Sequence, residues 1–432
     1  MTRKIKSLLI LGILPAMLIT GCTENSKDSE QSFISVLTSD ETFRMDSLED
    51  AYSMILKNST RDFTAGYPID ESFLSWVAAT YGEPAITEIA GNGEFSSKDT
   101  WYRITGNSIH VLWADYAESH GLYLDQDIHR VETKNPHEFV MDFTGDVNLA
   151  ENMATTNYML EQRNGLADCF SGLLLDEMFG ADILMVNNEY CYSTRGEPLK
   201  GKEYTFRANP NMASALFDIG VDFVNLANNH VWDYGPEAMD DTIDTLDKVM
   251  MPHVGAGHNL SEAKRPLYYV ANGQKIAVVS ATQVERSYNY TKEATDDMPG
   301  VLKTLDPAKF VGVIEEAEKN ADMVIAIVHW GTEGDSSYGN DQLRLAQSFV
   351  DAGADAIIGG HTHCLQGVEY MGNVPIYYSL GNYWFCTSGS MPVGYDTGLA
   401  QLRIGDDGEI LPYFIPCYFD NGVTYLATDN KY

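Results

Sequence analysis

Basic residues are scarce in this 432-residue chain, where 28 Lys and Arg stand against 62 Asp and Glu for a formal charge of −34 and a pI near 4.4. A surface so acidic repels a phosphate backbone, which excludes general nucleic-acid binding. Long apolar runs are missing too. Leu8 to Ile19 is the only one, and it falls short of the ~20 residues that a membrane-spanning helix needs, so a polytopic membrane protein is excluded. Six cysteines occur with no C-x-x-C spacing, which indicates neither a zinc knuckle nor a regular disulfide framework. No G-x-S-x-G elbow, Walker loop or dinucleotide-binding glycine fingerprint follows any strand-like run, so serine-nucleophile and P-loop chemistry drop out. Apolar residues still make up 44% of the chain, enough for a sizeable core and roughly two or three domains.

The chain opens with Arg3, Lys4 and Lys6, then the apolar run, then Leu18-Ile19-Thr20-Gly21-Cys22. A basic stretch, a short apolar stretch and small residues before a cut describe a secretory signal over residues 1–21. The cut falls in front of a cysteine, which resembles the lipobox of bacterial lipoproteins. That resemblance implies a diacylated Cys22 and a lipoprotein anchored to the cell membrane on its extracytoplasmic side, two acyl chains being enough for stable anchoring. The alternative is a plain cleaved signal ahead of a secreted protein. Residues 22–32, rich in Ser, Glu, Asp and Asn, read as a flexible tether. Removing residues 1–21 takes away three basic residues and no acidic one, leaving the mature chain three units more negative than −34.

Residues 33–136 read as a mainly helical accessory domain. Asp70 ahead of Glu71 to Tyr81, with Gly82 behind, predicts a capped helix. Ile109, Leu112, Trp113 and Tyr116 stripe a second helix over Ser108 to Glu118. His110, His120, His129 and His137 are scattered among polar residues and read as surface or satisfied side chains. From residue 137 to 432 the texture changes. Short β-like runs (Phe139–Phe143, Asp182–Val186, Phe223–Ala227, Ile276–Ser280, Met323–Val328, Ala356–Ile358, Ile376–Ser379) alternate with helical segments such as Pro236–Val249 and Asp341–Ala352. Repeated strand-then-helix means an α/β domain with a buried sheet. At the end, Leu399–Ile404 and Leu411–Tyr418 flank Asp406-Asp407-Gly408, a hairpin signal.

The chemistry collects where these runs end, which in such sheets is where sites are built. The runs finish in Thr144-Gly145-Asp146-Val147-Asn148, Asn187-Asn188-Glu189, Asn228-Asn229-His230 with Asp233 beyond, His329-Trp330-Gly331 and Gly360-His361-Thr362-His363. Carboxylate, imidazole and amide oxygen together suit Zn, Mn or Fe, and two such divalent ions can clamp and activate a bridging water.

Those residues carry a family resemblance. Phe143-Thr144-Gly145-Asp146, Asn187-x-Glu189, Asn225-Leu226-Ala227-Asn228-Asn229-His230-x-x-Asp233-x-Gly235, His329-Trp330-Gly331-x-Glu333, Gly359-x-His361-x-His363-x-x-Gln366 and Tyr378-Ser379-Leu380-Gly381-Asn382 resemble the CapA family over about residues 138–404. These are poly-γ-glutamate capsule synthesis proteins, a branch of the calcineurin-like metallophosphoesterases. The resemblance implies a two-sheet αββα sandwich with a two-metal site at the strand ends.

By the same resemblance, Asp146, Glu189 and His363 hold one ion, while Glu189, Asn229, His329 and His361 hold the other, with Glu189 bridging. Asn148 stands where the phosphoesterases carry a histidine and is a poorer ligand, so the first ion is expected to bind weakly. His230 matches the histidine that protonates the leaving group. Asp233 either orients that imidazole and raises its pKa or caps the helix before Pro236. Glu333, Gln366, Ser379 and Asn382 are expected to line the substrate rim. Arg195, Lys200, Lys202 and Arg207 form a local basic stretch that either grips an anionic substrate or is simply solvated. Cys364 is either a soft extra ligand or a buried thiol.

Three functions follow as expectations. The first is a lipid-anchored surface protein of capsule polymer synthesis, export or processing, acting as a metal-dependent hydrolase of an anionic envelope polymer such as poly-γ-glutamate. The second is a non-catalytic, metal-containing accessory protein beside a membrane polymer synthase. The third is a secreted phosphoesterase.

Overall fold

The computed structural model describes residues 47–62, 69–92, 98–122, 126–286, 290–385 and 396–429. The signal segment, Cys22, the tether and Cys386 lie outside the described residues. In the first half, the strands are β1 (Asp127–Arg130), β2 (Glu138–Val147), β3 (Ile183–Asn188), β4 (Phe223–Asn225), β5 (His253–Val254), β6 (Leu267–Ala271) and β7 (Gln274–Thr282). After them come β8 (Met323–His329), β9 (Ala356–Gly360), β10 (Val368–Met371), β11 (Val374–Tyr377), β12 (Asn382–Trp384), β13 (Asp396–Gly405), β14 (Ile410–Asp420) and β15 (Val423–Leu426). One mixed sheet runs β1-β6-β7-β8-β9-β11-β10; the other runs β15-β14-β13-β2-β3-β4-β5, with β12 beside β2.

Alternation along the strands stacks these sheets. In β8, Met323, Ile325 and Ile327 face an inter-sheet core with Ile276 and Val278 of β7 and with Met141, Phe143 and Met185 of the other sheet. The intervening Val324, Ala326 and Val328 pack outward on Phe310, Ile314 and Phe349. Those last residues come from the helices Pro307–Asn320 and Asn340–Asp351. The opposite outer face buries Leu184, Val186 and Val224 against Met239, Ile243 and Leu246 of the helix Pro236–Lys248. A period of two with both faces apolar is what a sheet covered on both sides requires. Each fully buried Leu, Ile, Val or Phe contributes about 1.5–3 kcal/mol. The expected two-sheet sandwich, helices outside, is what this chain forms.

Register then aligns the strand ends. Asp146 lies opposite Asn187 and Asn382, and Asn187 opposite Asn225. On the other sheet His329 lies opposite both Thr282 and Gly360. At Gly145 the chain needs glycine, because a Cβ there would sit 2.0 Å from the Gly381 carbonyl oxygen. That close approach lets β12 run beside β2 and carries Asn382 into the row.

The helical segments before β1 form around an aromatic cluster in which Phe73 lies 5.1 Å from Trp113 and 6.1 Å from Trp101. The helix Glu71–Tyr81 has the predicted caps, with Asp70 accepting from the Phe73 N–H and Gly82 at φ 92°. Ser108 caps Ile109–Ser119, and its own N–H donates to the Gly273 carbonyl in the β6–β7 turn at 2.7 Å. Residues from Ser47 onward form one compact unit, and β1, at 127–130, pairs in parallel with β6.

Candidate metal centre

Two groups of metal-competent side chains meet at the aligned strand ends. Asp146, Glu189 and His363 form one, and Glu189, His329 and His361 the other; within each, the ligand atoms lie within 4.8 Å of one another, and all are buried. Glu189 belongs to both. Both Glu189 oxygens, Asp146 Oδ2 and His361 Nδ1 are buried with no hydrogen-bond partner. Buried carboxylate oxygens left bare are costly, and a cation between them relieves that cost. Burial, and then the charge of Asp146, push the Glu189 carboxyl well above its usual range. Burial would raise Asp146 as well, but the adjacent His363 holds it low. His363 is driven up to about 10, burial opposing and the charges of Glu189, Asp146 and Glu333 prevailing. In the metal-free site protons on Glu189 and His363 offset the crowded carboxylates, a bound cation would displace them, and the donor set fits divalent metal ions.

The second group is completed by an amide. Asn229 Oδ1 lies 2.8 Å from His329 Nε2, which is also 3.3 Å from Glu189 Oε1. Burial lowers His329 to about 4 and His361 well below its ordinary value, so both rings are neutral and free to ligate. His361 and His363 hold φ of 99° and 57°, backbone strain that only a constrained loop retains.

Asn148 departs from expectation. Its Oδ1 accepts the Ala150 N–H at 2.7 Å and its Nδ2 donates to the Glu189 carbonyl at 3.3 Å, so it closes a turn under Glu189. Asn382 also moves from the rim to a supporting role, with Oδ1 2.7 Å from His363 Nδ1. Gln366 is buried, donates to the carbonyls of Asp335 and Ser337, and accepts from Gln342. Ser379 accepts from the Thr362 hydroxyl at 3.0 Å. Glu333 stays at the mouth, half exposed, with Oε1 3.8 Å from His363 Nε2.

His230 and Asp233 are brought together, Nδ1 and Oδ2 lying 2.7 Å apart. Asp233 does not cap the following helix, whose N-cap is Gly235. Nor does it raise the imidazole. Burial, then the charge of Lys202, takes His230 well below its ordinary value, while burial lifts Asp233 to about 7. Lys202 claims the other Asp233 oxygen at 2.7 Å, donates to the Asn229 carbonyl, and lies 3.1 Å from Glu285 Oε1. Arg195 and Arg207 of the basic stretch are engaged elsewhere. Arg195 pairs with Asp241, and Arg207 covers the Tyr234 ring at 4.2 Å while donating to the Arg195 and Gly196 carbonyls. Cys364 is a buried free thiol, as are Cys169, Cys191 and Cys417.

Sequence reading passed over the amide lattice behind the site. Asn187 donates to Asp146 Oδ1 at 2.7 Å and accepts from Asn225 and Asn228, and Ser280 donates to Asn225. The asparagines Asn187, Asn225 and Asn228, at and just beyond the ends of two neighbouring strands, were the available signal.

Two stacked mixed sheets with a carboxylate shared between two ligand groups define a candidate dinuclear metal centre. Residues 140–387 match the bacterial capsule synthesis protein PGA_cap family, more than half of the chain, and the chain belongs to that family. It is 40% identical over 208 residues to the PGA biosynthesis protein CapA of Bacillus subtilis, covering 48% of this chain and 53% of that protein. To the capsule biosynthesis protein CapA of Bacillus anthracis it is 32% identical over 225 residues, covering 51% and 53%. The chain thus spans about half the length of these curated relatives. Among solved structures it is similar to the calcineurin-like phosphoesterase YfkN of Bacillus subtilis, with a TM-score of 0.37, 20% identity, and coverage of 67% of this chain and 88% of that one.

Proposed function

We propose that this protein is a lipid-anchored, metal-dependent hydrolase that processes an anionic envelope polymer of the poly-γ-glutamate type, working beside a membrane polymer synthase. One observation carries the reading: Glu189 is shared by two ligand groups and both its buried oxygens lack a hydrogen-bond donor among the described residues, and the His230–Asp233 pair stands next to Asn229 of the second group. Asp146, Glu189 and His363 would hold one ion, and Glu189, Asn229, His329 and His361 the other. Ions bound there supply Lewis acidity to a water and to the oxygen of the scissile bond. Asp233 and Lys202 fix the His230 ring, with Nδ1 toward Asp233, and because burial keeps the ring neutral its Nε2 is left to accept a proton from an attacking water. Phe206 lies 4.4 Å from the His230 ring and 5.4 Å from Phe385, an apolar wall that keeps bulk water from this side.

The charge of −34 opposes a polyanion at long range, though physiological salt screens it beyond ~8 Å, and divalent cations bridging both partners would offset it locally. Family membership and the printed names of the relatives, which concern capsule and PGA biosynthesis, support the polymer. Elemental analysis of the purified protein, reconstituted with Mn, Zn or Fe, tests the centre. Near two ions per chain are expected, with His361→Ala losing one and Glu189→Gln destabilising both. Shortening of poly-γ-glutamate by the loaded protein, but not by His230→Ala, tests the activity, and release of Cys22→Ala from membranes tests the anchor. No bound metal sinks the enzyme reading and leaves a polymer-handling accessory protein.

A further inference from the structure

The two ligand groups are unequal. The second has a carboxylate, an amide and two imidazoles, whereas the first has, among the described residues, Asp146, Glu189 and His363, while both polar atoms of the Asn148 amide are taken by backbone groups. We infer that Glu333 is the fourth protein ligand of the first ion, standing in for the position Asn148 leaves, and that this makes the first site oxygen-rich and selective for a hard divalent cation such as Mn²⁺. This inference rests on the metal-centre reading above.

The geometry supports it from two sides. Asn382 Oδ1 is 2.7 Å from His363 Nδ1, closer than Asp146 Oδ2 at 3.2 Å. With Nδ1 held by Asn382, as ligating histidines usually are by a second partner, Nε2 is the nitrogen that would give up its proton to bind a metal. That nitrogen is the one facing Glu333 Oε1, at 3.8 Å. Two donors each ~2.1 Å from one ion lie roughly 3–4 Å apart, so His363 and Glu333 can share a cation, and the half-exposed Glu333 side chain, which stands outside the 4.8 Å group of Asp146, Glu189 and His363, swings inward to do so. The loop that carries Glu333 is also fixed. Gly334 N–H donates to the Thr362 carbonyl at 2.9 Å, between the two histidines. Gln366 clasps the carbonyls of Asp335 and Ser337. A freely solvated rim carboxylate would need no such clasp.

Three carboxylates and one imidazole favour Mn²⁺ over Zn²⁺, while the His329–His361 site favours Zn²⁺ or Fe²⁺. The test is metal titration of the purified full-length chain, stripped with chelator and read by calorimetry and by the Mn²⁺ electron paramagnetic resonance signal. Wild type is expected to take two ions, and Glu333→Gln to weaken the more Mn²⁺-selective one by at least ~10-fold with the other unchanged. Adding Asn148→His to Glu333→Gln is expected to restore a second ion, now with preference for Zn²⁺. The metal-free melting temperature controls for folding, since the Glu333 side chain is half exposed. Two ions with unchanged affinities in Glu333→Gln overturn this inference and leave the metal centre standing. No ion in wild type overturns both.

Discussion

Asn382 Oδ1 lies 2.7 Å from His363 Nδ1, across nineteen residues of sequence, and so fixes which nitrogen of that ring faces the candidate first metal site. Asn382 gets there because β12 pairs in parallel with β2, directly opposite Asp146. Ligand and orienting group therefore travel on neighbouring strands. Replacing Asn382 with Leu removes the acceptor and frees the ring to turn. Metal affinity at the first site is expected to fall 10- to 100-fold, and Asn382→Asp, which keeps an acceptor oxygen, to lose much less. Equal Mn²⁺ titrations for wild type and Asn382→Leu would remove this role.

Lys202 is the cation that holds the acid–base pair in place. Its ammonium is nearly buried, and the Asp233 carboxylate it meets at 2.7 Å is fully so. Removing one partner of a buried ion pair leaves the other charge uncompensated, at about 3–5 kcal/mol. Lys202→Met is expected to show a loss of that order in denaturant unfolding, with Lys202→Arg recovering part of it. A midpoint within experimental error of wild type would mean that Asp233 is satisfied without this lysine.

Much of this was readable from residue order. The strand tips, the capped helix after Asp70 and the terminal hairpin depend on local pattern, and local pattern is what sequence displays. Lys202 shows where that stops. Arg195, Lys202 and Arg207 look alike as a basic stretch, yet Arg195 pairs with Asp241 at the surface, Arg207 stacks on Tyr234, and Lys202 alone enters the site. Which lysine is buried depends on contacts with segments 27 and more residues away, such as Asn229 and Glu285. Asn148 misled for a similar reason: an asparagine after Asp-x is equally suited to ligating a metal and to closing a turn, and here it bonds the Ala150 N–H. The strand β6 escaped notice because its polar tyrosines, Tyr268 and Tyr269, do not mark an inward face, although the Asn272-Gly273 turn after it is a hairpin signal. The positive φ of His361 and His363 leaves no trace in the residue types.

The last prediction concerns pH and lies away from the metal ligands. Asp142 is buried in β2, where its Oδ1 accepts from Gln401 at 3.0 Å while Oδ2 has no hydrogen-bond partner. Burial raises its pKa to about 7, the Gln401 hydrogen bond opposing and the charge of Glu177 adding to the rise. The native state thus binds this proton more tightly than the unfolded chain, whose aspartates titrate near ~3.9. Stability from this group is fully present below that unfolded value and is lost as pH rises through about 7. A shift of about three units sets an upper bound of about 4 kcal/mol. Asp142→Asn carries no charge to bury, so its stability relative to wild type is expected to climb between pH 4 and 7 and level off above. Urea unfolding of both proteins across that range measures the difference directly. A difference that stays flat with pH would mean that Asp142 remains ionised in the fold, stabilised by the neighbouring Gln401 and Arg403.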